Sequence, residues 1–267
     1  MKESYYSLGL MSGTSMDGVD ASIIKTDGKT RYSAILDKYY EYPTVIYNNL
    51  LKLRAKIKTS KDLKKYDKQI KLAEKEITIF HAKSVKKILR ETKVKVDFVG
   101  FHGQTIFHNV KEKISKQLGD GKLLSKLIKK TVVYNFRKND LANNGEGAPL
   151  APIFHKLLVT KYKIKTPLTI LNIGGIANIT SINKKYELIS SKDIGPGNCL
   201  IDRWIRFKSN KKYDKNGLIA KSGNTNKFIL NRSLDNFYNS KLNKKKSYDI
   251  NDFDIYFAKK LSLKDGA

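Results

Sequence analysis

The sequence has 267 residues, 40% of them hydrophobic and 10% aromatic, which is enough to bury a substantial core in one large domain or two of ordinary size. The formal net charge is +28, but the excess is nearly all lysine and is scattered along the chain. We find no arginine-rich or aromatic-interleaved stripe of the kind that reads or stacks on bases. We therefore expect a lysine-covered surface that favours an anionic ligand such as a nucleotide, and no nucleic-acid partner.

The cysteine content and the hydropathy of the sequence indicate the cellular compartment. Cys199 is the only cysteine, which excludes an intramolecular disulfide and indicates a reducing environment. Residues 1–6 lack the apolar core of a signal peptide, and no apolar run approaches the roughly 18 residues that span a bilayer. We expect a cytoplasmic protein with no membrane partner.

The chain opens with a predicted three-stranded meander, Tyr5–Met11, Val19–Lys25 and Tyr32–Tyr42. The first turn, from Ser12 to Gly18, is rich in Gly, Ser, Thr and Asp, and its glycines allow positive φ and close backbone approach. Hydroxyl and backbone N–H groups in such a turn can converge on an anion, so we interpret it as a phosphate cradle. It lacks the Lys-Ser/Thr ending of a P-loop. The alternative interpretation is a polar hairpin without a ligand.

Helices and strands then alternate, which is typical of a parallel sheet. The predicted elements are helices over Val45–Lys58 and Ser60–Arg90, a strand over Val94–Phe101, a helix over Leu123–Lys129, a strand over Thr131–Phe136, a polar loop over Arg137–Pro149 and a helix over Ala151–Lys161. We read the following segment, Lys163–Pro167, as a joint between two lobes.

The opening architecture recurs after this joint. Leu168–Ile173 and Ile176–Thr180 are predicted strands joined by Gly174 and Gly175, so each lobe begins with a glycine-turn β-hairpin. Two such hairpins can grip a polyphosphate. We predict a first lobe over residues 1–140, which contains the phosphate loop, and a second over 141–267, in which residues 208–267 form short helices joined by polar loops.

Several polar residues are candidates for chemistry. Asp193, beside a Gly-Pro-Gly turn, is placed to act as a base near bound phosphate, or it is only the turn and cap residue of the next helix. His102 and Gln104 could bind a sugar hydroxyl, although an ordinary satisfied histidine is the alternative. Arg137 could bind an anionic substituent or pair with Asp140. The histidine spacing predicts no metal site.

Seven stretches form an ordered set of motifs: Gly9–Asp20, Gly100–Thr105, Gln117–Asp120, Asn135–Arg137, Gly147–His155, Leu171–Asn178 and Asp193–Asn198. In this order, over nearly the whole chain, they resemble the anhydro-N-acetylmuramic acid kinase family of the actin and sugar kinase superfamily. The resemblance implies an α/β, two-lobed actin-like ATPase/sugar kinase fold, each lobe a mixed sheet, with ATP and Mg²⁺ in the cleft.

The resemblance also implies the reaction and its residues. The family is a phosphotransferase with an alcohol acceptor. It opens 1,6-anhydro-N-acetylmuramic acid with water and phosphorylates it to N-acetylmuramate 6-phosphate, in peptidoglycan recycling and amino-sugar catabolism. The implied catalytic base is Asp193. The implied ATP contacts are Ser12, Gly13, Thr14, Ser15, Met16, Asp17, Gly18, Val19, Gly174 and Gly175. We assign the sugar side to His102, Gln104, Arg137 and Asp140.

Some positions depart from the family pattern. Asn135 replaces a usual Asp, Asn143 and Asn144 replace Ala-Gly, and Glu146 replaces Gln. The family also continues for about a quarter of its length beyond this C-terminus, so we expect an incomplete second lobe. The alternatives are therefore an inactive fragment that keeps the fold, a sugar-binding remnant, or a basic nucleic-acid-binding protein. A homodimer is also left open.

Overall fold

The computed structural model describes residues 3–240 and 248–267. The chain divides into two compact units, Met1–Ile164 and Lys165–Ala267. This division falls inside the predicted joint, whereas the predicted first lobe ends at residue 140. Residues 141–164 thus lie in the first compact unit, whereas the prediction places them in the second lobe. Compact units need not coincide with functional lobes, so the lobe to which these residues belong stays a prediction.

A six-stranded mixed sheet forms the centre of the first unit, as expected. The strands are β1 (Tyr5–Ser12), β2 (Gly18–Thr26), β3 (Tyr32–Glu41), β4 (Phe98–Asn109), β5 (Ile114–Leu118) and β6 (Thr131–Tyr134). The order is β3-β2-β1-β4-β5, and β6 also pairs with β4. Strand β4 is parallel to β1 and β6 and antiparallel to β5. Along one edge of β4, β6 pairs with its first half and β5 with its second.

Six helices belong to the first unit. They are α1 (Thr44–Lys56), α2 (Ser60–Lys65), α3 (Asp67–Arg90), α4 (Gly121–Ile128), α5 (Phe136–Ala142) and α6 (Pro152–Lys161). Helix α3 contacts β2, β4 and β5. Its core-facing residues recur three or four apart, and Ile70, Ile77 and Val85 are among those that are buried. The sheet therefore buries one face of α3.

The structure corrects two predicted helix features. The single helix expected from Ser60 to Arg90 is broken at Tyr66, whose φ of −105° and ψ of 20° leave the helical region. Its first N-cap is Thr59 rather than Ser60, and the Asp62 carboxylate accepts the Thr59 backbone N–H at 2.8 Å. The acidic side chain at the third helical position thus decides where α2 begins.

Two further corrections affect candidate residues. The strand expected over Val94–Phe101 instead runs from Phe98 to Asn109. Gly103 adopts a φ of +72° inside β4, and the strand then pairs with β5, an element the sequence analysis missed. The expected polar loop after Phe136 begins instead with helix α5, and Asn135, at φ 63°, precedes it. His102 and Gln104 therefore lie within a strand, and Arg137 lies on a helix.

The second unit contains a three-stranded sheet and several helices. Its elements are β7 (Leu168–Ile173), β8 (Ile176–Ile182), β9 (Leu188–Pro196), α7 (Cys199–Lys208), α8 (Leu218–Lys221) and α9 (Lys227–Asn239). Both strand pairs are antiparallel, so the mixed sheet expected here is not what the described residues form. Short turns join consecutive strands, and a parallel pair would need a longer crossover.

Short helices follow β9, as predicted, although residues 241–247 lie outside the described part of that segment. In the described ranges, no helix combines the length and apolar character needed to cross a membrane.

Candidate active site

The turn between β1 and β2, residues 12–17, is the predicted phosphate cradle, and its backbone differs from the expected one. Gly13 and Gly18 were expected to allow positive φ or close backbone approach, and the residue of this turn that has positive φ is Met16, at 59°. The Met16 N–H donates to the Gly13 carbonyl at 3.2 Å, and the Met16 side chain is fully buried. A Cβ on Gly18 would lie 2.5 Å from the Tyr40 backbone oxygen. Gly18 is therefore required for close approach.

Two of the three hydroxyls in this turn are bonded to protein groups. The Ser12 Oγ atom lies 2.9 Å from the Tyr42 hydroxyl and 3.2 Å from His81 Nε2, and the Ser12 side chain is buried. The Ser15 hydroxyl donates to the Asp17 carboxylate at 2.5 Å. Main-chain groups are therefore better placed than the Ser12 hydroxyl to meet an external anion.

Charged groups flank the turn. Arg54, which is itself buried, points its NH1 group at the Thr14 carbonyl at 3.5 Å. Burial raises the pKa of Asp20, and the nearby Asp17 carboxylate raises it further. The turn thus has a buried guanidinium behind it and carboxylates at its C-terminal end.

Gln104 and His102, both predicted to contact sugar, have protein partners. Gln104 is fully buried, and its Nε2 group donates to the Gly13 carbonyl at 2.8 Å, which links β4 to the predicted phosphate turn. His102 Nδ1 lies 2.7 Å from the Gly103 carbonyl, and its Nε2 atom accepts a hydrogen bond from Arg137 Nε at 2.9 Å. Burial, followed by the Arg137 charge, lowers the pKa of His102 to about 4, so the ring is neutral at pH 7.

Arg137 and Asp140 both bind the backbone of one residue, Gly147. Arg137 NH1 donates to the Gly147 carbonyl at 2.9 Å, and the Asp140 carboxylate accepts the Gly147 N–H at 2.7 Å. A Cβ on Gly145 would lie 2.1 Å from Asp140 Oδ2, so the segment before Gly147 lies tightly against this carboxylate. The sequence analysis left open whether Arg137 binds an anion or pairs with Asp140. In the structure both side chains hold the segment after α5.

A cavity of about 740 Å³ lies beside Asp140 and the start of α5. Tyr134, Asn135, Asp140, Asn143 and Leu150 are among its lining residues. The size is within the range of small-molecule sites, and the lining mixes amide, carboxylate and apolar groups.

Asp193, the predicted base, lies in β9 opposite Asn178 and three residues before the end of the strand. Its side chain is half-buried, and its Oδ2 atom accepts the Tyr248 backbone N–H at 2.9 Å. The alternative of a helix cap does not apply, because the N-cap of α7 is Asn198. The carboxylate therefore belongs to the sheet, near the turn that leads into α7.

The second glycine turn packs against the start of α7. The Gly174 carbonyl accepts the Asn198 N–H at 2.7 Å, and the Gly175 carbonyl accepts the N–H groups of Gly197 and Cys199 at 3.0 and 3.2 Å. A Cβ on Gly197 would lie 2.1 Å from the Gly174 oxygen. Hairpin carbonyls thus satisfy N–H groups that begin the helix.

The sequence analysis did not select Tyr42, Arg54 or His81 as candidate residues. One signal pointed to His81, since it follows the buried Ile77 by four residues and precedes the buried Val85 by four. A polar side chain at a core-facing helix position requires a buried partner. Nothing local indicated that this partner is Ser12.

The chain matches the family model described as anhydro-N-acetylmuramic acid kinase over residues 5–264. A Pelagibacter ubique protein named anhydro-N-acetylmuramic acid kinase is 59% identical over 267 residues, which are all of this chain and 71% of that protein. Proteins of the same name from Agrobacterium fabrum and Rhodopseudomonas palustris are 36% and 37% identical, over 100% and 97% of this chain and 72% and 71% of their own lengths. The chain therefore belongs to the anhydro-N-acetylmuramic acid kinase family, and it is a kinase, a phosphotransferase with an alcohol acceptor.

Proposed function

We propose that this chain uses ATP and water to convert 1,6-anhydro-N-acetylmuramic acid to N-acetylmuramate 6-phosphate and ADP, a step of peptidoglycan recycling. The observation that carries the proposal is the continuous family match over residues 5–264, with relatives named for this substrate. The buried hydrogen bonds that fix the turn after β1 support it, because an ordered turn can bind phosphate without reorganising.

In this proposal the ATP phosphates contact Ser12–Val19. Ser12 contributes through its main chain, since its hydroxyl is bonded within the core. Backbone N–H groups in a turn form a suitable cradle for phosphate oxygens. The Asp17 carboxylate repels phosphate directly, so we assign it to the magnesium ion that accompanies ATP.

One carboxylate, that of Asp17, would suit a magnesium ion that is shared with a nucleotide. In residues 3–240 and 248–267, no three His, Cys, Asp or Glu side chains group together to hold a metal. Magnesium commonly uses one or two carboxylates together with substrate phosphates and water, and Asp17 would supply such a ligand. The bound ion would neutralise charge that develops on the phosphates.

The four residues predicted for the sugar side take different roles in this proposal. Arg137 and Asp140 hold the Gly147 segment beside the 740 Å³ cavity, where we place the acceptor sugar. His102, with both ring nitrogens engaged, orients Arg137. Gln104 acts on the phosphate turn through Gly13.

The chemistry assigned to Asp193 is general-base catalysis. Its carboxylate takes a proton from water, and the resulting hydroxide attacks C1 of the sugar. The C1–O6 bond breaks, O6 attacks the γ-phosphorus, and ADP leaves. One water and one phosphoryl group are thereby added to the sugar, which is the net change between substrate and product.

The test is turnover by the purified chain with ATP, Mg²⁺ and 1,6-anhydro-N-acetylmuramic acid. We expect ADP release that requires the sugar, and a product whose mass equals the sugar plus one water and one phosphoryl group. ³¹P NMR should show a phosphate monoester at O6. Absence of sugar-dependent ADP release, from protein with a cooperative thermal transition, would refute the proposal and favour an inactive chain that keeps the fold.

A further inference from the structure

Three polar side chains from separate elements meet inside the core of the first unit. Ser12 ends β1, Tyr42 follows β3, and His81 lies in the middle of α3. All three are buried, with exposed fractions of 1%, 1% and 0%. The Ser12 Oγ atom lies 2.9 Å from the Tyr42 hydroxyl and 3.2 Å from His81 Nε2. The proposed catalytic chemistry uses none of the three hydrogen-bonding side-chain groups.

The direction of each hydrogen bond follows from one fixed end. His81 Nδ1 lies 2.8 Å from the Ile77 carbonyl, which only accepts, so Nδ1 carries the hydrogen. Burial lowers the pKa of His81 to about 4, so the ring is neutral and Nε2 is an acceptor. The Ser12 hydroxyl therefore donates to Nε2, and the Tyr42 hydroxyl donates to Ser12.

This arrangement fixes both ends of the phosphate turn. Tyr42 holds Ser12 through its hydroxyl, and its backbone N–H donates to the Asp17 carbonyl at 2.8 Å. Gly13, next to Ser12, is held by Gln104 at 2.8 Å. His81 Nε2 accepts the hydrogen of the Ser12 hydroxyl. Without this acceptor, one buried hydroxyl hydrogen among these three side chains would have no partner within the group.

We propose that His81 is a positioning residue for the phosphate turn: its Nε2 atom orients the Ser12 hydroxyl and so holds the Ser12–Asp17 backbone ready for ATP. The inference rests on the proposed function only in taking this turn as the site of the ATP phosphates. Its readout is ATP affinity, which can be measured without turnover.

The decisive variant is His81→Phe, which preserves an aromatic ring where His81 stacks edge-on against Phe101 at 4.9 Å but removes the acceptor. Leaving a buried donor unpaired costs about 1–3 kcal/mol, and we expect the Kd and KM for ATP to rise about tenfold. The KM for the sugar should change less than about twofold, because the perturbation lies at the phosphate turn. His81→Gln offers an amide oxygen as a replacement acceptor and should recover most of the ATP affinity.

The matched control is Ser84→Ala. Ser84 is also buried on α3, but its hydroxyl donates to the Phe80 carbonyl at 3.1 Å within the helix. This variant removes a buried hydroxyl from the same helix without touching the phosphate turn, so ATP binding should stay at the wild-type value. Isothermal titration with a non-hydrolysable ATP analogue measures affinity, and ¹⁵N NMR of the wild-type histidines should show His81 protonated at Nδ1.

The outcomes separate the two proposals. Unchanged ATP affinity in folded His81→Phe, or a wild-type His81 protonated at Nε2, overturns the positioning role. If His81→Phe does not fold, the decision passes to His81→Gln and the NMR result: retained affinity with an Nδ1–H ring supports the role, and lost affinity opposes it. Wild-type protein that binds ATP but lacks sugar-dependent turnover contradicts the proposed function alone. Wild-type protein that does not bind ATP removes both.

Discussion

Replacing Gln104 with leucine tests whether the link between β4 and the phosphate turn matters for ATP. The substitution keeps a side chain of similar size and removes one bond, from Nε2 to the Gly13 carbonyl at 2.8 Å. A buried bond between neutral groups contributes about 0.5–1.5 kcal/mol. The loss is partly offset, because Gly13 keeps its bond from Met16, and because leucine removes the Gln104 Oε1 atom, which is buried and has no partner among the described residues.

We therefore expect a small effect on stability and a distinct effect on the nucleotide. The free energy of unfolding should fall by about 1 kcal/mol, which lowers Tm by roughly 2–4 °C for a protein of this size. The variant also no longer holds Gly13 in position for ATP. The KM for ATP should therefore rise about fivefold, the equivalent of about 1 kcal/mol. Thermal unfolding and steady-state ADP release measure the two quantities.

Gln117→Leu is the matched control. Gln117 lies on the neighbouring strand β5, and its Nε2 group donates to the hydroxyls of Ser115 and Thr105 at 2.7 and 3.2 Å. It should lower Tm to a comparable extent with the KM for ATP unchanged. If Gln104→Leu lowers Tm while the KM for ATP stays at the wild-type value, the bond to Gly13 is only structural and the reasoning is wrong.

Three further predictions concern the base, the turn and the buried histidines. Asp193→Asn should lower kcat by about 10²–10⁴-fold in the ADP-release assay, with Tm changed little, because the amide oxygen can still accept a backbone N–H. Gly18→Ala should lower the free energy of unfolding by about 1–3 kcal/mol in denaturant titrations, since its Cβ would lie 2.5 Å from the Tyr40 oxygen. The pKa values of His81 and His102, lowered to about 4, mean that the unfolded state binds more protons between pH 6.5 and 4. The free energy of unfolding should therefore fall over this interval as the pH is lowered, by about 1.4 kcal/mol per pH unit for each histidine. His102→Asn should remove the contribution of one histidine from this pH dependence.

Each of these has a contrary result. Asp193→Asn with wild-type kcat would exclude the carboxylate as the base. Gly18→Ala with wild-type stability would mean that the contact with β3 is looser than the structure shows. A pH dependence that His102→Asn leaves unaltered would assign the slope to other groups.

Much of the fold could be predicted because its signals are local. The hairpins β1–β2 and β7–β8 follow from alternating apolar residues on either side of short glycine-bearing turns. Strand β4 was predicted to stop at Phe101, whereas it continues through Gly103, although glycine inside a strand weakens it. In the structure, pairing with β5 stabilises the part of β4 that follows Gly103, and no residue near Gly103 indicates that this strand will be its partner.

The candidate residues divide in the same way. Sequence motifs singled out Ser12, Gln104 and Arg137. In the structure, the Ser12 side chain is hydrogen-bonded to His81, that of Gln104 to the Gly13 carbonyl, and that of Arg137 to both His102 and the Gly147 carbonyl. Arg137 was expected in a loop and lies on α5. Residue type shows that a group can hydrogen-bond, whereas its partner depends on which elements pack around it.

By itself, the sequence determined the alternation of strands and helices, the two glycine hairpins and the family. Only the tertiary structure decided which polar side chains are hydrogen-bonded to one another inside the core. Ser12 shows why: its partners Tyr42 and His81 lie 30 and 69 positions away along the chain. Hydrogen bonds act over about 3 Å, so contacts between such distant residues exist only once α3 has packed on the sheet and removed water from them.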